Sequence, residues 1–89
     1  MKPYRLLIAW QLWPQIQALP PHLRRTLYRN FDRLEEAPDA LSEFQSADQS
    51  GRLLDGFILG ELAFYYWIDF ADRHVKVVAI GPADRAIRD

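Results

Sequence analysis

At 89 residues and 10.4 kDa the chain has room for one hydrophobic core, which excludes a two-domain enzyme. Hydrophobic residues make up 49% and aromatics 13% against 26% charged, enough apolar surface to offset chain entropy, so disorder is excluded as well. A formal net charge of −1 and the lack of any cysteine argue against a surface basic all over, a disulfide framework and a thiolate metal site.

The charge is unevenly spread. Residues 1–33 carry six Lys/Arg and one Asp, residues 34–72 one Arg and nine acids, and residues 73–89 four basic residues and two acids. A basic first third beside an acidic middle offers either two faces of opposite sign or internal pairing. After Arg5 only five apolar residues precede Gln11, too few for a signal peptide or a membrane span. The expectation is one domain over residues 1–89, cytoplasmic and off the membrane.

Tyr4 to Trp10 is apolar on both alternating sets and too short for a helix, so it reads as a strand covered on both faces for much of its length. Over residues 11–19, Leu12, Ile16 and Leu19 fall at helical spacing, with Pro14 tolerated in the first turn. Pro20 and Pro21 end that short helix and open the next, where Leu23, Leu27, Phe31 and Leu34 mark one face of an amphipathic helix from Pro21 to about Glu36. The helix stops near Ala37, because the residue before Pro38 is pushed out of the α region. Residues 38–53 read as a connection with a short turn near Leu41 to Phe44. Three strands follow: Leu53 to Leu59, Leu62 to Asp69 after a Gly60-Glu61 turn, and His74 to Ile80. On the second of these, Leu62, Phe64, Tyr66 and Ile68 alternate with Ala63, Tyr65, Trp67 and Asp69. On the last, Val75, Val77 and Ala79 alternate with Lys76, Val78 and Ile80. The order predicts an α+β fold, β-α-α-β-β-β, with two N-terminal helices packed on one face of a four-stranded, largely antiparallel sheet.

That order and certain runs resemble the RelE/ParE toxin superfamily of bacterial toxin-antitoxin modules, over roughly Tyr4 to Arg88. Leu59 to Asp69 (Leu-Gly-Glu-Leu-Ala-Phe-Tyr-Tyr-Trp-Ile-Asp) is similar to a family hairpin, Val75 to Gly81 to its last strand, and Leu19-Pro20 through Pro38 to its Leu-Pro and basic-helix pattern. The resemblance implies a RelE-like fold, an antitoxin as protein partner, and in the RNA-cleaving members a metal-free chemistry in which arginines and lysines steady the phosphorane. At the positions that resemble the family's arginines this chain has Gly56, Ile58 and Ala63. Leu62 stands for a tyrosine, and Pro82-Ala83 follow Gly81. A neutral pocket cannot offset a scissile phosphate, so the resemblance carries the fold and the partner rather than the catalysis. The expected function is a toxin-like component acting through protein binding, on an antitoxin and on gyrase or the ribosome. A ribosome-dependent endoribonuclease with a rearranged set, Arg52, Lys76 and Arg85, and an inert homodimeric module stay open.

Candidate sites follow from residue type and spacing. Arg25, Arg29 and Arg33, with His22 a turn earlier and Arg24 beside them, form a basic stripe suited to nucleic acid or an acidic partner. They read equally as a solvated face with Arg29–Asp32 and Arg33–Glu36 pairs. His74, Lys76 and Arg85 are the weak catalytic candidates on or after the last strand, with an exposed turn as the plainer account. Ala63, Tyr65 and Trp67 project to the face no predicted helix covers and are the candidate partner interface, for an antitoxin or a second copy. Asp55, Glu61 and Asp69 lack partners at ligand spacing, so neither a metal nor a cofactor is expected.

Overall fold

Each apolar period in the sequence becomes an element that must bury one side. The computed structural model describes residues 2–88. Strand β1 (Arg5–Ile8) turns Leu6 and Ile8 inward and leaves Leu7 exposed. A 3-10 turn (Trp10–Leu12) leads into helix α1 (Trp13–Gln17), and together they bury Leu12 and Ile16. The expected helix over 11–19 is thus shorter, since Pro14 occupies the first turn and the Pro20-Pro21 pair restarts the chain. Helix α2 (Pro21–Glu36) has Pro21 in its first turn and buries Leu27, Phe31 and Leu34. It ends where Ala37 adopts φ −153 and ψ 81 ahead of Pro38.

Residues 38–53 correct the expectation of a bare connection. A 3-10 turn (Pro38–Leu41) is followed by strand β2 (Phe44–Ala47), which pairs antiparallel with β3 (Leu53–Leu59). β2 is an edge strand with exposed Gln45 and Ala47, so it carries little of the apolar alternation by which strands are recognised. Strand β4 (Leu62–Asp69) pairs with β3 across a turn at Gly60, φ +61. Strand β5 (His74–Pro82) pairs antiparallel with β4 and parallel with β1. The sheet therefore has five strands rather than four, in the order β1-β5-β4-β3-β2.

Two further departures come from β5. Tyr65 pairs with Ala79 but Tyr66 with Val77, so Val78 is the extra residue of a β-bulge. The phase of the strand shifts there: Ile80 joins the core and Ala79 moves to the other side, opposite to the regular alternation. Beyond β5 the chain forms a third helix, α3 (Ala83–Arg88), which contacts β5, β4 and β2.

Helices α1 and α2 lie on one face, as expected. The core joins Leu12, Ile16, Leu27, Phe31 and Leu34 to Phe57, Phe64, Tyr66, Val75 and Val77. Phe57 and Phe64 stack with centroids 5.2 Å apart. Inside it the Tyr66 hydroxyl donates to the Pro38 carbonyl at 2.9 Å, tying the chain after α2 to the sheet. Burial pushes this phenol well above its ordinary pKa, so it remains a donor. The N-terminus is clamped to α2: Lys2 pairs with Asp32 at 2.7 Å and Glu35 at 3.1 Å. The Glu35 carbonyl and carboxylate accept the Tyr4 and Leu6 N–H groups, which covers the open edge of β1.

Candidate partner-binding face

The second face of the sheet, away from α1 and α2, carries the outward residues of β3, β4 and β5, and it has two halves. At the end where β5 finishes, Gly56 and Ala63 are buried and Ile58 is half-buried. The Phe44 ring lies over Gly56 so closely that a Cβ there would fall 2.2 Å from it, and Phe44 meets Tyr65 edge to face at 5.5 Å. The α3 backbone crosses this end through its contacts with β5, β4 and β2, starting from an Ala83 N–H that donates to the Glu61 carbonyl. This half is a closed apolar floor, and Ala63 has no surface left to offer a partner.

At the other end the face is open and cationic. Trp67 of β4 stands between Arg52, whose guanidinium carbon is 4.2 Å from the ring centroid, and Lys76, whose Nζ is 4.7 Å from it. Lys76 comes from β5 on one side of β4, and Arg52 from the residue just before β3 on the other. Arg52 is held by the turn before β3. There the Asp48 carboxylate accepts from the Ser50 hydroxyl at 2.6 Å, the Ser50 N–H at 2.9 Å and the Arg52 N–H at 2.9 Å. These bonds, the Ser50 hydroxyl first, hold the Asp48 carboxyl below its usual range. The Trp67–Lys76 contact was within reach of sequence reasoning, since a four-residue turn between Asp69 and His74 places residue 67 opposite residue 76. No local spacing signals Arg52.

The remaining candidates separate. Arg24 is half-buried and donates to the Gln17 carbonyl at 3.0 Å and the Leu19 carbonyl at 3.4 Å, closing the end of α1. Arg25 and Arg29 stay on the surface with Tyr28 and Asp32, lining a shallow depression. Arg33 is exposed, and the Thr26 hydroxyl donates to the His22 carbonyl. The Arg29–Asp32 and Arg33–Glu36 pairs do not form; among the described residues the ion pairs are those of Lys2, which takes Asp32 for itself. His74 is half-buried, and one donor atom each from Asp69, Asp72 and His74 lies within 4.8 Å of the others, a grouping that the sequence did not signal. Arg5 on β1 pairs in register with His74, so cations border the group. Arg85 is exposed on α3, which begins beyond the far end of β5, six residues and about 20 Å along the strand from Lys76. Arg52 and Lys76 are therefore brought together while Arg85 is not. No helix among the described residues is long and apolar enough to cross a membrane.

No protein-family model and no curated protein sequence matches the chain. Solved structures do. The archaeal RelE-RelB complex from Pyrococcus horikoshii superposes with a TM-score of 0.79 at 25% identity, covering 94% of this chain and 99% of that one. The RelBE2 toxin-antitoxin complex from Mycobacterium tuberculosis gives 0.72 at 17% identity, covering 92% and 93%. A mutant of the E. coli toxin RelE in the free state gives 0.68 at 16% identity, covering 99% and 97%. The last two speak for the fold alone, which all three share over nearly their whole length.

Proposed function

We propose, from the premise that this chain is a member of the RelE-like superfamily, that it is the toxin-like component of a toxin-antitoxin module and works by binding protein rather than by cutting RNA. The archaeal neighbour at 25% identity is a RelE toxin in complex with RelB, which supports the module and an antitoxin partner. One observation carries the choice against cleavage: the outward positions Gly56, Ile58 and Ala63 form a closed apolar floor with Ala63 fully buried. A pentavalent phosphorus bears charge that such a surface cannot stabilise, and oriented cations in a dry site supply most of the rate in chemistry of this kind.

Expression in a bacterial host tests the reading. Growth arrest with intact transcripts, reversed by the product of an adjacent reading frame that co-purifies with the chain, is the expected result. Arrest accompanied by cleavage of messages at codon positions would sink it. A second reading, the endoribonuclease, draws on the convergence of Arg52 and Lys76 on Trp67, with His74 two residues away on the same face of β5. It requires that cleavage occur and be abolished by Lys76→Ala.

A further inference from the structure

The exposed end of the sheet's second face carries a row that the fold does not use. Leu7 on β1 pairs in register with Lys76 on β5, and Lys76 with Trp67 on β4, so the three lie side by side across neighbouring strands about 4.8 Å apart. Leu7 and Val78 are 40% and 36% exposed, and with Lys76 they line a shallow groove of about 250 Å³. Lys76 thus belongs to the apolar groove and to the Trp67 contact at once, and Arg52 lies against the same indole. Among the described residues neither Arg52 nor Lys76 makes an ion pair.

We propose that this row is a docking surface for an acidic amphipathic segment of a partner protein, whose carboxylates meet Lys76 and Arg52 and whose apolar side chains enter the Leu7–Val78 groove. Two cations against one ring, no more than about 9 Å apart, are held before any ligand arrives, which lowers the ordering cost of binding. The charge is complementary to a carboxylate-bearing chain, and the adjoining apolar groove suits the other face of that chain. Nucleic acid fits less well. The Trp67 ring already carries two cations within 5 Å of its centroid, which a stacking base would have to displace, and Leu7 and Val78 give nothing to a phosphate. The proposal rests on the protein-binding reading above and adds the place and the chemistry of the contact.

The test uses the full chain and a fluorescent peptide about 15 residues long, roughly four helical turns, with Leu and Glu at helical spacing. Controls are the same peptide with Lys for Glu, and polyuridylate. The expected result is saturable binding of the Glu peptide alone, weakened by salt and at least about tenfold weaker for Lys76→Met and for Arg52→Gln. In nuclear magnetic resonance spectra the Trp67 indole N–H and the Leu7 and Val78 amides of the parent protein should shift, a map that does not depend on any variant folding. Unchanged affinity in both folded variants, shifts centred on α2, no binding of the Glu peptide, or tighter binding of polyuridylate at equal salt would each overturn the proposal. The two readings fail separately: arrest reversed equally well from Lys76→Met ends this surface and spares the module, while peptide binding without arrest does the reverse.

Discussion

At the scale of single residues, Gly56 and Tyr66 show how a side chain, or the lack of one, decides a local structure. Gly56 exists to let the Phe44 ring lie flat on the sheet, so Gly56→Ala should displace that ring from Tyr65 and cost about 1 to 3 kcal/mol in urea denaturation. In a Phe44→Leu background the cost should fall, because the clash goes with the ring; equal costs in both backgrounds would refute the account. Tyr66→Phe leaves the buried Pro38 carbonyl without its donor and should cost about 1 to 3 kcal/mol, read as a shifted denaturation midpoint with unchanged slope. The tyrosine was legible as a core residue from its alternation with Phe64 and Ile68. Its hydroxyl's partner was not, since residue 38 is brought near only by the fold. The same holds for Arg52, which reaches Trp67 from the turn before β3.

At the scale of elements, α1 and α2 were legible, α3 was not, and the strand details were only partly so. Pro21, Pro38 and the stripe from Leu23 to Leu34 define α2 through local sterics and periodicity, which sequence carries directly. β2 escaped because an edge strand is held by backbone bonds to its neighbour and of its four side chains only Phe44 is a large apolar one. The Val78 bulge escaped because apolar residues on both sides of it fit either phase. Deletion of Val78 should restore a regular ladder with Ile80 still facing the core. The deletion variant is expected to melt cooperatively, within about 2 kcal/mol of the parent, while binding the acidic peptide more weakly. Loss of cooperative melting would show that the bulge is needed for closure of the sheet. The clamp between the N-terminus and α2 has a pH signature. Hydrogen bonds to Asp32 first and then to Glu35 raise the Lys2 pKa above 10.5, so its contribution is complete below that value and is lost as pH rises through the higher folded one. The urea midpoint measured on both sides of this window should fall above it, and the fall should be smaller in Lys2→Met. Asp48 has the opposite sign, with its contribution present above the ordinary carboxyl value and lost as pH falls through the lowered one, which should loosen the turn carrying Arg52.

At the scale of the whole molecule, the expectation of two helices on one face of a largely antiparallel sheet holds, and the resemblance to the RelE/ParE superfamily is matched by the neighbours in structure. Expression should arrest growth while leaving transcripts whole, and raising the salt should weaken the partner's grip, because exposed cations on the open face are screened. Composition, the proline positions and the two apolar periods determined by themselves that this chain takes an α+β fold, since those signals act between residues near one another along the chain. Which cations face the same spot, which apolar positions α3 seals, and which end of the second face stays open were decided only by the tertiary structure. Strand order, a one-residue bulge and a helix laid across the sheet bring together residues whose separation in sequence says nothing of their distance in space.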